Sequence, residues 1–326
     1  MEIIIVGVGG IARRAYLPLL TSWDNVEITG IFSRTQKSVN EVCNKWHITN
    51  GTTDVNDLMK SKPDAAFVLT NDATHFKFTK MLLEADVDVF VEKPAASTSH
   101  EAYQLASIAG ERNRILVVGF NRRYALLYRK AKELFTGKKI QLAVIQKHRT
   151  KATHISLYNN YLDDTIHQID LLSYYCGKVI PLDTHIEMRN EKLVGAVSTV
   201  ALPEGGLGVL MTSLEAGAWQ ENATLYGEEL TVEVDAFRQL RIKHHDHEEV
   251  YGTDRAGKWI TDMKERGFHG VIEHFFECIK TRKQPLTNGI EAARTQELME
   301  QMVQAAGSEA GAPKGEWDRV ERWENN

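Results

Sequence analysis

Near the start of the chain the β-branched run Ile3–Val6 is broken by Gly7-Val8-Gly9-Gly10-Ile11-Ala12, and an amphipathic stretch follows at once. A strand that turns straight into a helix through glycines leaves few architectures open. The first glycine permits a turn too tight for a side chain, and the second lets the backbone approach an anion. The small residue at Ala12 lets the helix pack close against the strand. Free N–H groups and a partial positive charge at the helix start complete an anion site. The spacing is that of a dinucleotide fingerprint, and its place in a strand–turn–helix unit separates it from a glycine-rich turn without a ligand.

The next hundred or so residues repeat the unit. Val26–Phe32, Ala65–Leu69, Val87–Val91 and Ile115–Gly119 read as strands. They alternate little, as strands covered on both faces do. Thr98 and Glu101 form a capping signal for a helix through Glu111. Right-handed crossovers then give a doubly wound parallel sheet of the Rossmann type.

Beyond Phe120 the pattern changes. A helical stretch from Asn121 to Phe135 is closed by Gly137, a strand runs over Ile140–Lys147, and a helix from Asp163 to Tyr175 is stopped by Gly177. Between Ile180 and Val250, strand-like runs alternate with turns such as Pro203-Glu204-Gly205-Gly206 and Gly227-Glu228-Glu229, which reads as an antiparallel sheet. Helices around Val271–Lys280 and Gly289–Ala306 precede a polar tail expected to be loosely held. The predicted fold class is α/β: an N-terminal Rossmann sheet over 1–120, then an α+β domain over 121–326 with a large, mainly antiparallel open sheet. A length of 326 residues suits two domains.

Charge excludes some partners. With 39 basic and 44 acidic residues the net charge is −5, so no global positive field exists to hold nucleic acid or an anionic membrane. Cys43, Cys176 and Cys278 are odd in number and dispersed, as free thiols in a reducing cytoplasm are. The apolar opening is too short to span a bilayer and lacks a basic leader before it. A soluble cytoplasmic protein is expected. His244-His245-Asp246-His247 has the composition of a metal cluster, but neighbouring side chains on a strand point to opposite faces. It reads as a solvated strand end or hairpin, and no metal site is expected.

The end of the second strand indicates the cofactor. An NAD site would place Asp or Glu there for the ribose hydroxyls, whereas this chain has Ser33-Arg34, and Asp24 falls in the loop before the strand. A carboxylate would repel a 2′-phosphate, and the Arg34 guanidinium can fork onto one. NADP(H) is therefore preferred, with NAD(H) possible.

The chemistry of hydride transfer requires a group that exchanges the hydroxyl proton. Lys93, in Glu92-Lys93-Pro94 after the strand Val87–Val91, lies at the carboxyl edge of a parallel sheet, where ligands bind. In Asp163-x-x-x-His167-x-x-Asp170, the four-residue spacing puts Asp163 and His167 on one helix face. His167 can exchange the proton while Asp163 binds a substrate hydroxyl or orients the imidazole. Asp170 continues that face as a candidate support. Asn121-Arg122-Arg123-Tyr124 is read as holding the domain junction or reaching the cofactor or substrate, or as purely structural.

Taken in order, the glycine fingerprint, Thr70-Asn71-Asp72-Ala73-Thr74-His75, Glu92-Lys93-Pro94, Gly119-Phe120-Asn121-Arg122-Arg123-Tyr124 and the Asp163–Asp170 motif resemble the glucose-fructose oxidoreductase, inositol dehydrogenase and rhizopine-catabolism (Gfo/Idh/MocA) family over nearly the whole chain. The resemblance implies that Lys93, Asp163 and His167 surround the reacting carbon of a polyhydroxylated substrate such as a sugar or cyclitol. On the same reading Gly7, Gly9, Gly10, Ile11, Ser33, Arg34, Thr70, Asn71, His75, Glu92 and Lys93 contact the cofactor. The chain departs from the family pattern at Asn159-Asn160, where glycines are common, at Thr165, where glycine is common, and at Asn71, where proline is common. Asn tolerates left-handed backbone, so the turn at Asn159-Asn160 is expected to survive. An open antiparallel face is expected to pair in a homodimer or homotetramer. The rival reading is a nucleotide-binding sensor without turnover. Retention of Lys93, Asp163 and His167 together argues against it.

Overall fold

The computed structural model describes residues 1–151, 154, 156–252 and 261–307. The expected loose tail lies outside them. The described chain divides into two compact units, Met1–Phe120 with Phe268–Arg294, and Asn121–Gly267 with the chain from Thr295 onward.

The first unit is built on six parallel strands, β1 (Glu2–Val6), β2 (Glu27–Phe32), β3 (Gly51–Thr52), β4 (Ala65–Val68), β5 (Asp88–Val91) and β6 (Leu116–Val118), in the order β3-β2-β1-β4-β5-β6. The order reverses between β1 and β4, which makes the sheet doubly wound and places the ligand crevice at the carboxyl ends of those strands. All five expected strands match within one residue at each end, β1 starting at Glu2 where Ile3 was expected. The two-residue edge strand β3 carries no periodic signal and was not expected. Ile3, Ile4, Ile5, Phe67 and Phe90 are fully buried, in keeping with helices on both faces. Thr98 caps the helix Ser99–Glu111 by accepting from the Glu101 N–H at 3.2 Å, and Glu101 answers one residue earlier, on the Ser97 N–H.

The helix Phe268–Thr281 was assigned by sequence to the second domain, yet it belongs to the first unit. Its Phe275 ring lies 5.5 Å from Phe67 and 5.8 Å from Phe90, edge-on to both. Burial of these aromatic faces decides where it packs.

The second unit holds an eight-stranded sheet of β7 (Leu142–His148), β8 (Ile180–Arg189), β9 (Lys192–Ala201), β10 (Leu207–Ser213), β11 (Gln220–Gly227), β12 (Leu230–Asp235), β13 (Gln239–His244) and β14 (His247–Gly252). Its order is β14-β13-β12-β11-β7-β10-β9-β8, antiparallel except for the pair β7 and β10. Ala143, Ile145, Leu210, Ala223, Leu225 and Val232 alternate inward and are buried, and the helix Ile166–Cys176 lies against β7 and β10. His245 and Asp246 form a two-residue turn with both φ values positive, joining β13 to β14, so the histidine cluster is the hairpin expected. The three cysteines are free thiols. Among the described residues no helix is long and apolar enough to cross a membrane.

Candidate active site

Because β1, β2, β4 and β5 run parallel, the residues that follow them emerge on one edge of the first unit. Gly7, Ser33-Arg34, Thr70-Asn71 and Glu92-Lys93 are those residues, so the sheet brings the sequence-predicted nucleotide contacts together.

The glycine loop fits a dinucleotide. Gly7 has φ +100°, and a Cβ there would lie 2.7 Å from both Cγ2 and the backbone nitrogen of Thr70. Only glycine permits this approach. A Cβ at Gly9 would meet nothing within 4 Å, so that backbone face is open to an approaching phosphate. The Arg13 Nε donates to the Val8 carbonyl at 2.9 Å and the Arg14 Nε to the Gly10 carbonyl at 3.3 Å, bracing the loop with two guanidinium groups the sequence reading passed over. Past Ile11 the helix opens into a π-helical stretch, Ala12–Tyr16, and closes as Leu17–Leu20. Such bulges are frequent at functional sites. Arg34 is exposed directly before Thr35, which caps the helix Gln36–Trp46.

Asn71 replaces the family's proline without changing the backbone, since its φ of −75° and ψ of 153° are values proline adopts. Its side-chain oxygen accepts from Thr74 Oγ1 at 2.7 Å. His75 is fully buried, with Nδ1 2.6 Å from the Pro94 carbonyl oxygen and Nε2 3.2 Å from that of Thr70. It therefore ties the turn after β4 to the turn bearing Lys93. Glu92 is buried and accepts from the Tyr16 hydroxyl and from the Lys93 N–H at 3.0 Å. Burial is the largest influence on its carboxyl and holds it above the usual carboxylate range against the pull of Tyr16, Lys93 and His75. Lys93 itself is half-buried.

In the second unit the helix bearing Asp163 begins earlier than expected. Ser156 caps Leu157–Asn159 by accepting from the Asn159 N–H, a π-helical stretch runs over Asn160–Thr165, and Ile166–Cys176 completes the helix. Asp163 thus sits inside a π turn, so the α-helical spacing argument for Asp163 and His167 does not apply as written. Its carboxylate Oδ2 lies 3.1 Å from His154 Nε2. Asn159 and Asn160 have right-handed helical angles, which corrects the expected left-handed turn. Asn160 and Thr165 compensate one another, because the Thr165 hydroxyl donates to Asn160 Oδ1 at 3.0 Å across the π turn.

Buried charges hold this segment. Lys147 on β7 lies 3.0 Å from Asp164 Oδ1 and 3.4 Å from Glu221, Arg149 grips Asp164 with Nε at 2.9 Å, and Arg122 forks onto Glu221 at 2.8 and 3.2 Å. The cations outweigh burial and hold the Asp164 carboxyl far below its usual range and that of Glu221 at about 2. Arg123 pairs with Asp170 at 2.7 Å, and Thr295 donates to the same carboxylate. Arg122, Arg123 and Asp170 therefore serve the second unit's own architecture. The sequence reading did not single out Lys147; the alternation of β7 is the signal that sets it on the inner face, whereas nothing local marks its partners Asp164 and Glu221.

Residues 1–120 match the family model described as "Oxidoreductase family, NAD-binding Rossmann fold" under the name GFO_IDH_MocA. The oxidoreductase-family protein YceM of Salmonella typhimurium is 30% identical over 314 residues, 95% of this chain and 99% of its own. The chain belongs to the Gfo/Idh/MocA family of oxidoreductases. It is accordingly an NAD(P)-dependent dehydrogenase or reductase. A dehydrogenase (MviM) from Clostridium difficile has the same fold, with a TM-score of 0.85, 25% identity, and coverage of 94% of this chain and 99% of that one. The myo-inositol 2-dehydrogenase of Thermotoga maritima is 22% identical over 89% of this chain and 91% of its own. Solved structures of this fold, each 17% identical to the chain, include complexes with NAD and with NADP.

Proposed function

We propose that this Gfo/Idh/MocA protein is an NADP(H)-dependent oxidoreductase acting on a CH–OH group of a polyhydroxylated substrate, a sugar, cyclitol or derivative. One observation carries the reading: the glycine loop, Arg34 and the Glu92-Lys93-Pro94 turn share the carboxyl edge of one parallel sheet. When bound, the nicotinamide accepts or supplies the hydride. The Gly7–Ile11 backbone, with Thr70 and Asn71 beside it, holds the dinucleotide, and the buried His75 and Glu92 brace the turns that line its site. Ser33 and Arg34 take the adenosine ribose and its 2′-phosphate. Lys93 takes the hydroxyl proton through Nζ, and its charge stabilises developing alkoxide. His167 exchanges that proton with solvent, and Asp163 binds a neighbouring substrate hydroxyl. The inositol and sugar dehydrogenases among the relatives support the substrate class.

The test is a screen of polyols and keto-sugars with NADP and NAD in parallel, read by nicotinamide absorbance. Turnover with NADP is expected. Tight cofactor binding with no turnover on any of them would favour the sensor.

A further inference from the structure

We propose that Tyr16 is a positioning residue for Lys93, acting through the buried carboxylate of Glu92. The proposal rests on the reading of Lys93 as the proton-exchanging group. Tyr16 stands at the end of the π stretch that follows the glycine loop and is fully buried against the rings of Phe67, Phe90 and Phe268, 5.4 to 6.2 Å away. A phenylalanine would make the same ring contacts, so packing does not explain the hydroxyl. That hydroxyl donates to Glu92 Oε1, while Glu92 Oε2 accepts the Lys93 N–H at 3.0 Å. One carboxylate therefore joins the helix of the glycine loop to the turn that carries Lys93.

The chain makes room for this bridge. A Cβ at Gly119 would lie 3.1 Å from Glu92 Oε1 and 3.2 Å from its carboxyl carbon, closer than most real contacts. His75 fixes the other flank of the same turn through the Pro94 carbonyl. Lys93 is thus held on its amino side by Glu92 and just beyond its carboxyl side by His75. The groups that face Glu92 are the Tyr16 hydroxyl, the Lys93 ammonium and N–H, and His75, and all favour its ionised form against burial. Loss of the Tyr16 hydroxyl removes the foremost of these, so Glu92 takes up a proton at a higher pH. Below that pH the anion that holds the Lys93 turn is gone.

The experiment compares the native protein with Tyr16→Phe, which keeps the ring. In the free protein, 13C NMR of the glutamate carboxyls follows Glu92, assigned by its loss in Glu92→Gln. Reductive 13C-methylation gives a Lys93 signal, assigned by its loss in Lys93→Arg. Both signals should show one common inflection in the native protein and move together to higher pH in Tyr16→Phe. With a substrate in hand, the acidic limb of kcat should move the same way. At its centre kcat should fall on the order of ten- to a hundredfold, as misplacement of a catalytic group does, while the NADPH Kd changes less than about twofold. An unmoved Glu92 inflection overturns the proposal, and so does a Glu92 shift that neither the Lys93 signal nor kcat follows. If no substrate is turned over by the native protein, the reading of Lys93 as catalytic fails, while the two NMR signals still decide the linkage. If Tyr16→Phe does not fold, Gly119→Ala crowds the same carboxyl, and unmoved signals there overturn the proposal equally.

Discussion

Arg34 is an exposed cation at the end of β2, where a carboxylate would exclude a 2′-phosphate. NADPH should bind more tightly than NADH, and Arg34→Ala should remove most of the difference, roughly tenfold to a hundredfold for a lost charge-assisted fork. Equal dissociation constants for the two nucleotides in the native protein, by fluorescence titration, would refute the assignment. Lys93 and His167 make a different prediction, because neither belongs to the phosphate cradle. Lys93→Ala should lower kcat about a hundredfold or more, since a donor to the developing oxyanion is lost. His167→Ala should lower kcat and remove an ionisation from its pH profile. Both should bind NADPH nearly as the native protein does. Native turnover in both variants would place the chemistry elsewhere.

At the scale of elements, what could be read from the sequence follows the range of the interactions. The glycine loop, the Thr98 cap and the buried strands are written in adjacent residues, and so were legible. The π start of the Asp163 helix was not, because its signals are one capping serine and the Asn160–Thr165 pair, neither with a helical period. Nor was the allegiance of Phe268–Thr281, whose ring partners Phe67 and Phe90 lie about two hundred positions away. Tyr16 was hidden because it lies 76 positions from Glu92, and His154, only nine positions from Asp163, because the π turn that presents Asp163 has no periodic signal, so the candidate reacting groups could be named from their motifs and their supports could not. The buried network on β7 and β11 predicts an acid response. Glu221 ordinarily titrates at 4.5 and is held at about 2, with Asp164 depressed as well. A depressed carboxylate stabilises the fold above its ordinary value, and that stabilisation is lost as pH falls through the folded value. The urea midpoint should therefore fall between pH 4.5 and pH 2 more steeply than in Glu221→Gln, which no longer binds that proton. Parallel midpoint curves would show that the network does not carry the linkage.

For the whole molecule, the open question raised by the second sheet is what covers its outer face. Across adjacent strands the register sets Ile180 opposite Ala201, Ala201 opposite Leu207, Leu207 opposite Leu142 and Leu142 opposite Tyr226. These residues share a face, and Ile180 is 62% and Leu207 50% exposed. The inner face behind them meets the helix Ile166–Cys176, and we propose that the outer row packs against another chain. Soluble monomers rarely expose a contiguous apolar patch of more than a few hundred Å². A second copy is the simplest partner, since a two-fold axis lets the same row bury itself against its own image. Light scattering at micromolar concentration should return at least twice the mass of one chain. Placing lysine at Leu142 and Leu207 together should shift it toward a single chain, because charges buried face to face cost far more than the apolar contact gains. The nucleotide edge lies in the other unit, so the double variant should keep its NADPH affinity. A single-chain mass for the native protein, or a dimer indifferent to both lysines, would mean that this row is not the interface.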